Sequence, residues 1–279
     1  MGEDWRALNR ANWDERTGAH LAPGGYDLSS HRAGRGRLDA IVEAELGDVT
    51  GLRVLHLQCH LGDDSVAIAQ RGAAEVVGVD FSPPAIAAAR ALAAECGVRG
   101  VRFVESDVFA APAALPDEAA SFDVVFMSWG TIWWYPDLPG WARVVAGFLK
   151  PGGALIFADA HPASMVFDDA GRGAGDGMPG WEVPYFERAG RVWDDPGDYM
   201  NAEARLRNSR TMTWLHPLGD ITEAIVGAGL ALRRLREHPA ACWPMYRGLV
   251  RDAADPTLWR WPGEAWLPLG LSITAVKGK

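Results

Sequence analysis

LRVLHLQCHLGDDSVAIAQRGAAEVVGVDFS, residues 52–82, decides the fold. It opens with an apolar run of strand length, Leu52-Arg53-Val54-Leu55-His56-Leu57, rich in branched residues. A turn ending in Gly62 follows. Asp63-Asp64-Ser65 then suit a helix start, because their side-chain oxygens accept from backbone N–H groups that the first turn leaves unpaired. Val66 to Arg71 continues the helix and Gly72 stops it. A second apolar strand, Val76-Val77-Gly78-Val79, ends on Asp80. The unit is β-turn-α-β with an acid at the tip of its second strand. In nucleotide-binding folds such an acid accepts hydrogen bonds from ribose hydroxyls, and the first turn lets the ligand approach the backbone.

The same alternation continues on both sides. Downstream, Ser82 suits a helix cap and Pro83-Pro84 its first turn, ahead of an alanine-rich helix from Ala85 to Cys96 that Gly97 ends. Strands are expected at Val101 to Val104, Phe122 to Met127 and Ala154 to Ala158, with a helix from Leu138 to Leu149. Upstream, residues 3–20 form a polar helix whose large apolar groups are Trp5 and Trp13, broken by Pro23-Gly24-Gly25. A short amphipathic helix from Leu38 to Leu46 stops at Gly47. Residues 163–213 interrupt the pattern with a Gly-rich loop and two short aromatic segments, expected as one or two β-hairpins. Thr211 to Leu215 is an expected strand, Gly219 to Gly229 a helix, and Leu230 to His238 with Leu267 to Val276 a closing antiparallel pair.

The opening segment resembles motif I of the class I S-adenosylmethionine (SAM) methyltransferases, whose usual pattern is apolar-apolar-acid-apolar-Gly-x-Gly-x-Gly. Here the stretch is Leu55-His56-Leu57-Gln58-Cys59-His60-Leu61-Gly62: His56 replaces the acid, Gln58 and His60 replace two glycines, and Gly62 remains. Asp107 after the third strand, then Phe122 to Met127, then Leu149-Lys150-Pro151-Gly152-Gly153, are similar to motifs II and III of that superfamily. The resemblance covers residues 38–160 well and the C-terminal pair loosely. An Asn-Trp-Asp-Glu-Arg arm, a His-Pro after the fifth strand and a His-Pro-Leu opening the last helix extend it towards a group of bacterial small-molecule methyltransferases.

It implies an α/β fold: a Rossmann-like seven-stranded sheet with an antiparallel last strand, an N-terminal helical arm and an inserted aromatic-rich lid. The expected divisions are an arm at 1–37, a SAM-binding core at 38–160, an inserted substrate lid at 161–215 and a C-terminal completion at 216–279. With SAM as cofactor, Asp80 falls on the ribose, Asp107 on the adenine amino group and the Val108 N–H on a ring nitrogen. Gln58, Gly62, Phe81 and Ser128 complete the site, and Trp13 and Tyr26 sit on an arm that closes over it.

Composition narrows the partners. Hydrophobic residues make up 48% and charged residues 23% of the 279, which is ordinary globular material. The net charge of −9 argues against nucleic acid and anionic membrane surfaces, where a basic stripe is expected. No run of 18 apolar residues and no signal-peptide core are present, so a cytoplasmic location is expected. Cys59, Cys96 and Cys242 are odd in number and far apart, and are expected as free thiols; no metal ligand cluster is apparent. The assembly expected is a monomer or homodimer.

Tryptophan is unevenly placed: of 13, none lies between Asp14 and Ser128, and 11 lie at or after Trp129. Trp133-Trp134-Tyr135 are consecutive, and neither helix nor strand buries three neighbours on one face, so one of them is expected to face the cleft. Trp133, Trp134, Tyr185 and Trp243 are the expected substrate wall, which suits a small heteroaromatic, phenolic or amine metabolite methylated at N or O. Transfer from a sulfonium is an in-line displacement with the nucleophile held about 3 Å from the methyl carbon. Phenols and acids need a base, and His161 and His216, both near the rim, are the expected ones. Two alternatives are SAM-dependent chemistry other than methyl transfer, and an NAD-dependent oxidoreductase, for which the Gly-x-Gly-x-x-Gly turn is missing.

Overall fold

The computed structural model describes residues 4–279. Seven strands form the main sheet: β1 (Arg53–Leu57), β2 (Glu75–Asp80), β3 (Val101–Glu105), β4 (Phe122–Ser128), β5 (Leu149–Ala160), β6 (Leu230–His238) and β7 (Gly270–Lys277). Their order is β3-β2-β1-β4-β5-β7-β6, and β7 runs antiparallel to both neighbours. The order reverses between β1 and β4, which opens a crevice at the carboxyl ends of those strands.

Side-chain alternation along the strands builds a core on each face. Val54, Val76, Val124 and Phe126 meet Val42, Leu46, Ala67 and Ile68 from helices α2 (Ala40–Leu46) and α3 (Asp63–Gln70). Leu55, Leu57, Val77 and Val125 meet Trp141, Val145, Ile221 and Ile225, which lie on α5 (Leu138–Phe148) and α6 (Leu218–Gly227). Helix α4 (Pro83–Glu95) starts where the sequence indicates, with Ser82 Oγ accepting from the Ala85 N–H. β5 is longer than expected. The Lys150-Pro151-Gly152-Gly153 turn lies within it as a bulge opposite Asp123, whose carboxylate receives Lys150 Nζ at 3.0 Å.

The arm helix α1 (Trp5–Leu21) is capped by Asp4, and the expected start at Glu3 lies outside the described residues. Its buried residues are Asn9, Asn12, Thr17 and His20 rather than the two tryptophans. The reason is its neighbour, the backbone of the insertion. Asn9 Oδ1 accepts from the Met212 N–H at 2.7 Å and Asn9 Nδ2 donates to the Met212 carbonyl at 2.8 Å. Asn12 Nδ2 donates to the Asn208 carbonyl, and the Glu15 carboxylate accepts from the N–H groups of Arg207 and Asn208. Amide and carboxylate side chains pair backbone groups that α1 would otherwise bury unsatisfied. The insertion holds two small ribbons, Phe167–Asp168 with Gly180–Trp181 and Arg191–Asp194 with Arg210–Thr213. The 239–266 connection adds a third, of three short strands. Among the described residues no helix is long and apolar enough to cross a membrane.

Gly62 is the pivot between β1 and α3. It has φ +71°, and a Cβ there would come within 2.7 Å of Phe103 and Ala89. Gly62→Ala is therefore expected to lower stability by about 1–3 kcal/mol through overpacking, read as a shift in the urea midpoint at unchanged slope.

Candidate active site

The loop after β1 adopts the left-handed backbone three times, at Gln58 (φ +57°), His60 (φ +46°) and Gly62 (φ +71°). Side chains rarely occupy this region, so two of the three positions carry backbone strain. Asp80 holds the loop in place. Its Oδ2 accepts from the His60 N–H and its Oδ1 from the Ser82 N–H, each at 2.9 Å. Burial pushes its carboxyl up to about 6, against the pull of those N–H groups. Both oxygens keep a second lone pair for a further donor.

A groove runs along the ends of β1, β2 and β3. Val79, Phe81, Ser106, Asp107 and Val108 line one end, and Gln58, Trp134 and Tyr135 the other. Trp5, Arg6 and Asn9 of α1 roof it, leaving a cavity of about 30 Å³. That is room for water and less than a nucleoside fills. Arg6 Nε lies 3.6 Å from Asp107 Oδ2, while Asp107 Oδ1 accepts from the Phe109 N–H. Two sealed polar atoms on the groove residues have no partner, Gln58 Oε1 and Tyr135 Oη. Buried groups of this kind call for a partner, and the ribose, ammonium and carboxylate of SAM fit that donor and acceptor set.

The other expected cofactor residues lie elsewhere. On the side where a Cβ would stand, Gly62 packs against Phe103 and Ala89. Ser128 is turned to the opposite side of β4, where its Oγ donates to Asp64 Oδ2 at 2.7 Å. Trp13 and Tyr26 do not line the groove; Trp13 stands edge-on to His60 at 5.2 Å, and Tyr26 packs on His20 at 5.2 Å.

Those contacts surround a group that spans three segments. Asp198, from the insertion, accepts from Arg16 Nη1 at 2.7 Å and from His20 Nε2 at 3.0 Å. His20 Nδ1 lies 2.7 Å from His60 Nε2. Burial works to raise the Asp198 carboxyl, but the His20 hydrogen bond and charge outweigh it and hold it well below the usual range. Burial, with His20 beside it, holds His60 down to about 3, so its ring is neutral. Sequence gave no local signal for this group, since His20 and Asp198 are 178 residues apart.

A second unforeseen feature is acidic. Asp39 accepts from Trp129 Nε1 at 2.7 Å, and Asp64 is held by Ser128. Burial and the neighbouring Asp63 and Asp39 push Asp64 up to about 8. The Cys242 thiol is raised by burial and by Asp39, Asp64 and Asp159, and Tyr26 hydrogen-bonds Tyr199 at 3.1 Å. Asp159 has a different task. Its oxygens accept from the N–H groups of Gly130, Thr131, Ile132 and Ala160, which fixes the turn after β4. That turn splits the three consecutive aromatics: Trp133 is buried in a cluster, while Trp134 and Tyr135 reach the groove.

His161 and His216 stand outside the groove. His161 Nδ1 accepts from the Ala163 N–H, and its Nε2 lies 2.9 Å from Glu237. His216 Nε2 faces the Tyr135 carbonyl at 2.9 Å, and its ring walls a separate cavity of about 520 Å³ between α5 and α6, with Arg143, Arg188, Asp220 and Glu223. The four expected substrate residues do come together: Trp133, Trp134, Tyr185 and Trp243 share one apolar cluster with Ala160, Val166 and Leu215.

Sheet order, crevice position and an acid ending β2 define a Rossmann-like protein that binds a nucleoside cofactor. Comparison with known proteins gives the family. A model described as a methyltransferase domain matches residues 54–153. The aklanonic acid methyltransferase of Streptomyces sp. (strain C5) is 30% identical over 196 residues, 70% of this chain and 80% of that protein. The demethylmenaquinone methyltransferase of Lactococcus lactis subsp. lactis (strain IL1403) is 30% identical over 128 residues, 45% of this chain and 49% of the relative. The chain thus spans about half the length of that relative. A crystal structure of an S-adenosylmethionine dependent methyltransferase from Mesorhizobium loti superposes with a TM-score of 0.59 at 22% identity, over 85% of this chain and 96% of that one. The chain belongs to the class I SAM-dependent methyltransferases, and its cofactor is SAM.

Two outcomes are expected. Removing residues 1–25 takes away the roof of the groove and the His20 contact, so SAM is retained poorly by a core that stays folded by circular dichroism; normal retention in calorimetry would make the arm dispensable. Asp64 binds its proton up to about 8 in the folded state against 3.8 ordinarily. The folded state holds a proton that the unfolded chain has lost in this window, so stability falls as pH rises through it. Asp64→Asn removes that slope, and its melting temperature should gain on the parent's between about pH 5 and pH 8.

Proposed function

We propose that this protein transfers the methyl group of SAM to N or O of a small aromatic, phenolic or amine metabolite. The observation that carries the reading is one of position. The cluster of Trp133, Trp134, Tyr185 and Trp243 meets the groove through Trp134, which belongs to both. An acceptor stacked against these rings lies next to the end of the groove marked by Gln58. Asp39, Asp63 and Asp64 gather near Trp129, Cys242, Tyr26 and Tyr199, and such a surface favours a cation or a hydrogen-bond donor. The names of the relatives, demethylmenaquinone and aklanonic acid methyltransferases, support a small organic acceptor.

Bound SAM supplies an electrophilic methyl on its sulfonium. The chain's part is positional. Helix α1 covers the groove and keeps water from the reacting centre. Trp134 stands edge-on to Trp13 at 5.3 Å, and this pair holds the roof against the aromatic cluster. Asp159 fixes the turn that carries Trp133 and Trp134, so the wall is rigid where the acceptor must align. A neutral amine attacks without a base and sheds its proton afterwards. His161 and His216, with ring nitrogens engaged at Ala163, Glu237 and the Tyr135 carbonyl, serve these walls structurally in this reading.

The test is a screen with methyl-labelled SAM over tyramine, 4-ethylphenol, 4-hydroxyphenylacetate, total RNA and denatured protein. Label is expected on tyramine or the neutral phenol and to be absent from the two macromolecules. Label on RNA or protein, with none on the small molecules, would overturn the reading.

A further inference from the structure

Asn9 faces two ways. It lines the roof of the cofactor groove, and its amide pairs the Met212 backbone, Oδ1 accepting from the N–H at 2.7 Å and Nδ2 donating to the carbonyl at 2.8 Å. Met212 stands opposite Val192 in the ribbon of Arg191–Asp194 with Arg210–Thr213. An amide that both gives and takes at one residue does what a neighbouring strand would do, so α1 closes an edge of that ribbon. Two residues on, the Trp214 N–H donates to the Trp133 carbonyl at 2.9 Å, and Trp133 lies in the aromatic cluster. Trp214 also stands edge-on to Trp5 of the roof at 5.5 Å. A line of bonded contacts therefore leads from the roof to the aromatic wall outside the sheet.

The joint extends along the helix. Asn12 Nδ2 donates to the Asn208 carbonyl, Glu15 accepts from the Arg207 and Asn208 N–H groups, and Arg16 pairs with Asp198. Asn201 Nδ2 donates to the carbonyls of Ala19 and Pro23 at 3.2 and 3.3 Å. Towards the sheet the arm's ion pairs lie at the surface, Arg6 with Asp107 and Arg10 with Glu105. Exposed pairs of this kind hold little. Asp14 with Ser82 Oγ and His20 with His60 add one contact each. Helix α1 is joined by more hydrogen bonds to the insertion than to the sheet beneath it.

We propose that α1 and the ribbon move as one lid, with Asn9 the positioning residue that carries cofactor occupancy to the acceptor wall. It rests on the reading of Trp133 and its neighbours as that wall. SAM is larger than the cavity of about 30 Å³ under the roof, so its arrival resets the roof, and Asn9 and Trp214 pass the new position to Trp133. A cofactor gripped between the groove floor and α1 makes opening of the arm costly, and opening of the ribbon equally so. The wall is then set when the methyl donor is in place, and the acceptor follows SAM. By linkage, an acceptor at the wall tightens SAM in return.

Hydrogen exchange on the full chain, with and without S-adenosylhomocysteine, tests this. At a hundred times its Kd, a unit that must open to release the ligand exchanges up to about a hundredfold more slowly. The same factor is expected for residues 5–21 and for residues 210–214, although the latter do not line the groove. In Asn9→Ala and in Asn12→Ala, each measured at the same multiple of its own Kd, residues 210–214 should slow by less than residues 5–21. Asn12 grips the insertion without lining the groove, so the second variant keeps the roof residues should the first melt early. Slowing confined to α1 in the parent, or equal slowing of both segments in both variants, overturns the proposal. Slowing of neither segment while residues 79–81 and 106–108 are protected overturns the lid alone; with those also unprotected, the cofactor groove falls with it. The acceptor reading stands or falls separately, on the label screen.

Discussion

The grip of the Asp80 carboxylate on the N–H groups of His60 and Ser82 is the contact on which the site depends. It joins the strained loop after β1 to the tip of β2 and the start of α4. Without it, nothing in the loop's own backbone preference would keep Gln58 and His60 left-handed. With it, Gln58 reaches the Thr131 carbonyl and His60 stands up to meet the arm. His20 then docks on His60 and Asp198 on His20. Three segments far apart in the chain converge on one loop of five residues.

The arm and the sheet are held by different forces. Strands β1 to β5 are packed between apolar helix faces. Helix α1 instead lies on the insertion through side-chain amides, carboxylates and imidazole, with few buried apolar groups of its own. Polar contacts of this type exchange for water at small net cost, whereas apolar burial does not. The arm thus covers the narrow groove through contacts that cost less to exchange for water than those that hold the sheet.

Placement at the crevice follows from topology. The reversal of order between β1 and β4 brings the β1 loop, the β4 turn and the acid of β2 to one rim. The insertion after β5 and the connection before β7 begin and end at the same rim, so their aromatic residues collect beside the groove. Asp159 shows the economy of this. Standing at the end of β5, it pairs four backbone N–H groups and so decides which way Trp133, Trp134 and Tyr135 turn.

Much of this was legible in the chain itself. Strand and helix periods, the cap at Ser82, and the glycines ending helices gave the element order, because each is a matter of local backbone and side-chain chemistry; the Asp39 cap, which moves the start of α2 from Leu38 to Ala40, came from the structure. Asp80 and Asp107 were placed at strand ends for the same reason. The direction of a side chain was not legible. Gly62, in the loop after β1, and Ser128, at the end of β4, stand against Phe103 and Asp64 and do not line the groove. His161 and His216 lie near the rim, but His161 Nδ1 is taken by the Ala163 N–H and His216 Nε2 by the Tyr135 carbonyl, neighbours that no spacing predicts. Asp198 and His20 could not be paired from sequence at all, since no local rule links an inserted turn to a helix end 178 residues earlier. The sequence by itself determined which elements form and in what order. Only the tertiary structure decided which polar atoms meet, because those partnerships are set by burial and by the need of each buried donor and acceptor for a partner.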